Sequence, residues 1–446
     1  MSCNISKTFL ILNSSFLILL ASCSVTNQIS KKAEAILLSD TAIRSGHIGI
    51  SIYEPATNTY WYNYNADKYF IPASNTKLFT LYAGMKYLGD SLVGAKIAEY
   101  ENSLLFLPTG DPTFLHPEYS KQPVYDFLSS SKKELWCTYY LDEFKPYGKG
   151  WAWDDYNEPY MTERSWLPIF GNNVYFSGTK DNITYYPKKA ISISKYSDFI
   201  MYDSIGYVNK VTRDLDQNNF LPRFEGKAKV NVAVPFITSV DVIFNLLRDT
   251  LHKNIRPCST IPPNTGESVK KTYKIHSQPT DSLFKPMMHR SDNFFAEQTL
   301  LMVSNEHLGY MSDEKIIDTL LKTDLKDVPQ KPRWVDGSGL SRYNLFTPQS
   351  FVYILNKTKN EFGWDRIKNI LPTGGTGTLS SYFKKDSGFI YAKTGTLSNN
   401  CALSGFLITQ KGKLLIFSVL TNNYPTGATP VRKAVEHFLL DIRKNY

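Results

Sequence analysis

Hydrophobic positions along this chain follow two different periods. Near the N-terminus, Gly49 to Tyr53 and Tyr60 to Tyr64 are strand-type runs split by the turn-forming Glu54-Pro55-Ala56-Thr57-Asn58, which predicts a β-hairpin. Ile71-Pro72-Ala73 then leads into a segment where Leu78, Leu81, Tyr82, Met85 and Leu88 fall on one helical face, closed by Gly89. The far end mirrors this pattern. Ala402 to Thr409 and Lys413 to Leu420 predict a second hairpin about Gln410-Lys411-Gly412, and Val431 to Arg443 an amphipathic helix. One mixed sheet assembled from both ends of the chain is therefore expected. Residues 90–280 look different. They hold short alternating runs such as Lys229-Val230-Asn231-Val232-Ala233-Val234, many turn signals, and one clear helix near Val240 to Lys253. The reading is a multi-domain α+β chain, with a first part at 33–89, one or more β-rich inserted domains at 90–280, and a second part at 281–446. No repeat of fixed period and no low-complexity tract interrupts it.

Composition adds a location. With 446 residues, 42% of them hydrophobic, the chain can bury a large core. Its 29 tyrosines suit aromatic packing on pleated surfaces. Lys7 precedes an apolar run from Phe9 to Leu20, which has secretory length and is too short for a membrane-spanning helix. Leu20-Ala21-Ser22-Cys23 resembles the lipobox of bacterial lipoproteins. That resemblance implies a signal peptide at 1–22, a lipidated Cys23 and a polar tether at 23–32; the alternative is an ordinary signal peptide with an incidental cysteine. The implied setting is the cell envelope: a periplasmic lipoprotein anchored in a lipid membrane, the outer one because Ser24 is not the aspartate of inner-membrane retention. Cys137, Cys258 and Cys401 are too widely spaced to form a disulfide framework or a metal site, so no metal and no cofactor is expected. The net charge of +9 is spread among interleaved acidic and basic residues, which excludes a nucleic-acid partner and suits an anionic wall or lipid headgroups.

Three short motifs carry chemistry. Ser74-Asn75-Thr76-Lys77 stands at the head of the first helix. A serine hydroxyl needs a base in contact, and residues i and i+3 share a helical face, so Lys77 can reach it. Ser129 with Lys132, Ser192 with Lys195 and Ser268 with Lys271 repeat the spacing, so spacing alone selects nothing. Ser291-Asp292-Asn293 lies between two helical segments, where its residues also suit an N-cap turn. Lys393-Thr394-Gly395-Thr396 opens the first C-terminal strand. There an amine and hydroxyl could hold a carboxylate, and glycine would let substrate backbone approach.

Ser-x-x-Lys, Ser-x-Asn and Lys-Thr-Gly in this order form the motif set of penicillin-binding proteins and serine β-lactamases. The chain resembles the class C low-molecular-mass penicillin-binding proteins, the D-alanyl-D-alanine carboxypeptidase/endopeptidase family, over nearly its whole mature length. Ser291 to Gln298, Asp336 to Arg342 with Asn344, Leu371 to Leu379, Gly110 to Thr113 and Trp153 to Tyr156 resemble further landmarks of that family. The long stretch between Lys77 and Ser291 also fits, because simple β-lactamases are much shorter there. The resemblance implies a β-lactamase/transpeptidase-like domain, an antiparallel sheet flanked by helices plus a helical subdomain, carrying β-rich insertions. It implies Ser74 as nucleophile, Lys77 as base, Ser291 and Lys393 as proton relay and Asn293 positioning the substrate amide. Backbone N–H groups of Ser74 and Thr396 would form an oxyanion hole, Lys393 and Thr394 would bind the terminal carboxylate with Gly395 letting substrate backbone approach, and Asp155 would contact the amino end of a stem-peptide side chain. Its partners would be peptidoglycan stem peptides, with β-lactams as covalent inhibitors. Alternatives are a serine β-lactamase and a non-catalytic, wall-binding or β-lactam-sensing lipoprotein.

Overall fold

The computed structural model describes residues 25–139, 144–179, 182–189, 192–193, 209–224, 229–259 and 268–446. The expected signal segment and Cys23 lie outside the described residues; the expected tether is instead helical from residue 25 and buries Ile29 in a core.

Strands from both ends of the chain meet in one antiparallel five-stranded sheet. Its order is Ile390–Leu397, Asn400–Ile408, Leu414–Asn422, His47–Glu54, Thr59–Tyr64. Both faces of the three central strands are covered, so these read as near-continuous apolar runs. Period-two alternation divides them: Ile416 and Leu420 face one core, whereas Leu415, Phe417 and Val419 face another. The second core is closed by the C-terminal helix Ala428–Asn445, which delivers Val431, Val435, Phe438, Leu439 and Ile442 at helical spacing.

Six helices pack on the opposite face: Lys77–Tyr87, Thr280–His289, Asn293–Leu308, Asp313–Lys322, Pro348–Phe362 and Trp364–Ile370. Lys77–Tyr87 is their centre. The sequence predicts one apolar face, but every residue from Lys77 to Met85 is buried. Neighbouring helices surround it so closely that a Cβ on Gly84 would come 2.7 Å from the Phe284 ring. Such a helix shows no amphipathic stripe because it has no solvent side.

The inserted segment leaves and re-enters through a narrow neck. Thr280 N donates to Asp90 O at 2.9 Å and Thr280 Oγ1 to Gly89 O at 2.8 Å. Ser91–Glu99 pairs antiparallel with Lys271–Pro279, inside a sheet ordered Ile255–Cys258, Glu134–Thr138, Ser103–Pro108, Ser91–Glu99, Lys271–Pro279. Two three-stranded sheets and the helices Pro123–Ser130 and Val240–Leu251 complete it around a core of its own. Because the neck closes, the Ser291 motif lands beside the helix that the insertion interrupted.

Candidate active site

Ser74 does not sit in the α-helix itself. It lies in a 3-10 turn, Ala73–Thr76, entered through Ala73 at φ +47°, and Lys77 begins the α-helix behind it. Positions i and i+3 eclipse in a 3-10 turn, and Lys77 Nζ donates to Ser74 Oγ at 3.0 Å. Two glycines let other backbones close on this turn. A Cβ on Gly395 would come 2.7 Å from Pro72 O and 3.0 Å from Ser74 N, and one on Gly339 would overlap Ala73 O. Gly339 also stands at φ +85°, where glycine is favoured.

The Lys77 amine is fully buried and has two further acceptors, Asn293 Oδ1 at 2.6 Å and Ser338 O at 2.7 Å. Burial lowers its pKa from 10.5 to about 8, against the opposing pull of Asp336, Glu297 and Asp292. Asn293 opens the helix Asn293–Leu308, whose N-cap is Asp292 through Phe295 N at 2.9 Å. Its amide nitrogen donates to Tyr160 O at 3.0 Å, so the inserted segment reaches the site. Ser291 stands at φ +62°. Its hydroxyl accepts from Lys393 Nζ at 2.8 Å, and the same amine donates to Thr394 O at 2.7 Å. Lys393 is also fully buried, and burial first, then Lys77 and Arg432, holds its amine far below the usual lysine range. Two amines of lowered basicity thus stand behind two hydroxyls, Ser74 and Ser291, that open on the same cleft.

That cleft holds about 630 Å³ and is lined by Ser74, Ser291, Asn293, Tyr160, Arg342 and Thr396 among others. Asp155 forms part of its wall, in the 3-10 turn Trp153–Asp155. Thr394 is placed differently. Strand alternation turns Lys393 and Gly395 towards the nucleophile and Thr394 away, where it lines a small apolar space with Leu379, Tyr382, Cys401 and Arg432. Thr396 shares that parity but stands at the rim and reaches the cleft; its hydroxyl accepts from Arg432 Nη2.

Several of these partners lie outside the three catalytic motifs. Arg432 comes from the C-terminal helix, and Tyr160 and Ser338 act through backbone carbonyls. Asn75, inside the first motif, donates to Lys393 O at 2.7 Å and accepts from Ser404 Oγ at 2.8 Å. It ties the nucleophile's turn to the Lys-Thr-Gly strand.

The family match, with this pair of serine–lysine contacts, makes the chain an active-serine enzyme of the penicillin-binding class. The chain belongs to the D-Ala-D-Ala carboxypeptidase 3 (S13) family of peptidases, whose model matches residues 29–441. It is 23% identical over 410 residues to the D-alanyl-D-alanine carboxypeptidase DacB of Haemophilus influenzae, across 82% of this chain and 83% of that protein. A shorter match, 33% identical over 186 residues, links it to the carboxypeptidase DacB of Mycolicibacterium smegmatis and covers 39% of this chain and 40% of that protein. The crystal structure of penicillin binding protein 4 (dacB) from Haemophilus influenzae has a TM-score of 0.70 at 19% identity, covering 93% of this chain and 99% of that one. Bd3459, a predatory peptidoglycan endopeptidase from Bdellovibrio bacteriovorus, has a TM-score of 0.51 at 15% identity, covering 88% and 90%. The fold class and the enzyme class read from the sequence are borne out.

Proposed function

We propose that this chain removes the terminal D-alanine from peptidoglycan stem peptides through a Ser74 acyl-enzyme. The observation that carries the reading is the fully buried Lys77 amine, 3.0 Å from Ser74 Oγ and lowered in basicity by burial. Lys77 takes the hydroxyl proton as Ser74 Oγ attacks the carbonyl carbon of the penultimate D-alanine. The tetrahedral oxyanion faces the backbone N–H groups of Ser74 and Thr396. The amide bond breaks, the leaving amine takes its proton from Ser291, and Lys393 re-protonates Ser291. Water then hydrolyses the ester: its hydroxyl joins the acyl carbon, its proton restores Lys393, and Lys77 returns the first proton to Ser74 Oγ. Asn293 orients the substrate amide, and Thr396, supported by Arg432, meets the terminal carboxylate. D,D-endopeptidase cleavage of cross-links would run through the same acyl-enzyme, as a second activity of the same site.

The test is covalent labelling. Folded wild-type protein forms a stoichiometric adduct with a fluorescent penicillin, and Ser74→Ala forms none while its melting curve barely moves. A folded wild-type chain that takes up no label would sink the reading, and rapid nitrocefin turnover would replace it with a β-lactamase.

The same proposal places the enzyme in the cell envelope, periplasmic, held to the outer membrane by a lipidated Cys23. The apolar run from Phe9 to Leu20 and the Leu-Ala-Ser-Cys sequence support this. Cys23→Ala should release the chain from the membrane fraction; unchanged fractionation would overturn the anchor.

A further inference from the structure

Of the three groups that hold the Lys77 amine, Ser74 and Asn293 belong to the motifs. The third, the Ser338 carbonyl, belongs to a loop that has to be fixed by something else. Thr80 Oγ1 donates to Gly337 O at 2.7 Å, and a Cβ on Gly337 would come 2.7 Å from Ala296 O, so the loop lies tight on the Asn293–Leu308 helix. Ser338 N then donates to Glu297 Oε1 at 2.7 Å. Glu297 and Lys77 therefore grip the two ends of one residue. Glu297 is fully buried and stands four positions after Asn293, on the same helical face.

The other oxygen of Glu297 accepts from Arg164 Nη1 at 3.3 Å. Arg164 comes from the inserted segment and is 3% exposed. Its Nη1 also donates to Asp313 Oδ2 at 2.5 Å, and its Nε and Nη2 donate to Lys145 O at 3.1 and 2.8 Å. The nearby Asp336 carboxylate is occupied by its own loop and by Trp151: Gly339 N at 2.9 Å, Ser341 N at 2.7 Å, Asn344 Nδ2 at 2.6 Å and Trp151 Nε1 at 2.9 Å.

We propose that Glu297 is a positioning residue for the lysine base, and that Arg164 of the inserted segment holds Glu297 in its charged, bonded state. The insertion then sets the geometry and charge of the catalytic centre as well as walling the cleft. Arg164, Asp313 and Asp336 are the charged groups that face Glu297, and Asp336, Glu297, Asp292 and Lys393 those that face Lys77. Burial raises Glu297 to about 7, with Asp336 adding to the rise and Arg164 opposing it. An ionised Glu297 favours the protonated form of Lys77, so neutralising it makes Lys77 a weaker base that is free at lower pH.

The inference rests on Lys77 acting as the base for Ser74. Its test measures the acylation rate with a fluorescent penicillin from about pH 6 to about pH 10, together with melting temperature, for full-length wild type, Glu297→Gln, Arg164→Met and Arg164→Lys. Glu297→Gln is expected to move the acid limb about 1 unit to lower pH, and Arg164→Met to move it the same way. Arg164→Lys, which keeps the charge, should return the limb towards wild type. Variants that melt lower but keep the wild-type limb, or whose limb moves upward, would overturn the proposal. If Glu297→Gln does not fold, the two Arg164 variants decide it: a limb moved by Met and not by Lys supports it, and equal limbs refute it. A wild type that forms no adduct would refute the base assignment instead, which is a separate failure.

Discussion

The lowered basicity of Lys77 sets a measurable quantity. An exposed lysine at its ordinary 10.5 is free base for about 0.03% of the time at pH 7, whereas one at about 8 is free for about 9%, a gain of about 300-fold. Acylation by penicillin should therefore rise about tenfold per pH unit below about 8 and flatten above it. Lys77→Arg is the matching perturbation. A guanidinium stays protonated, so the base is lost while the positive charge is kept, and acylation should fall by about 10²–10⁴-fold. The assay is single-turnover labelling with a fluorescent penicillin, with circular dichroism to confirm folding. Stability supplies an independent check. Between about pH 8 and 10.5 the unfolded lysine binds a proton that the native one does not, so stability should rise with pH across that window. The full Lys77 contribution is about 3 kcal/mol. A rate flat from about pH 6 to about pH 9, or a folded Lys77→Arg within tenfold of wild type, would refute the reasoning.

Three further substitutions probe the surroundings. Gly339→Ala puts a methyl group on Ala73 O at a residue with φ +85°, so it should cost about 2–4 kcal/mol in urea unfolding and slow acylation, because the displaced backbone carries Ser74. Arg432→Ala removes the donor to the Thr396 hydroxyl; kcat/KM for a D-Ala-D-Ala peptide should fall about tenfold with little change in melting temperature. Asp155→Asn should weaken turnover of stem peptides with a free side-chain amine and spare their N-acetylated counterparts; equal losses on both would remove Asp155 from substrate recognition.

How much of this was legible beforehand depends on what kind of group does the work. The sheet was readable because each of its hairpins is local: Thr59–Tyr64 follows His47–Glu54, and Leu414–Asn422 follows Asn400–Ile408. The three motifs were readable because their side chains have distinctive chemistry, and the neck at Asp90 and Thr280 brings them together. What could not be read lies in two kinds of contact. The Ser338 and Tyr160 carbonyls have no residue-type signature, since any residue supplies one. Arg164 and Arg432 are single cations far along the chain from what they touch. Thr394 shows a third limit: the motif falls inside the strand Ile390–Leu397 rather than opening it, and a motif does not say which parity faces the substrate.

The sheet beneath the nucleophile shows the cost of this arrangement. Asn63, Ser51, Ser418, Ser404 and Lys393 are successive partners across all five strands, a polar row through a face that is otherwise core. Ser51, Ser404 and Ser418 are fully buried. In sequence they are small interruptions of apolar runs, and nothing local marks them as more than tolerated polar residues. In register, Ser51 Oγ meets Asn63 Oδ1 at 2.8 Å, and Ser404 and Ser418 hydroxyls pair at 2.8 Å. A buried hydroxyl without a partner costs about 1–3 kcal/mol, so Ser51 depends on Asn63, and Ser418 on Ser404. The row ends at Asn75, which bonds Ser404 and the Lys393 carbonyl. Apolar residues along it would pack more favourably but would take away the Ser404 hydroxyl that donates to Asn75, between the nucleophile's turn and the Lys-Thr-Gly strand. The row is thus best understood as stability given up to hold Ser74 and Lys393 in register, with burial of the two lysines the second concession to the same chemistry.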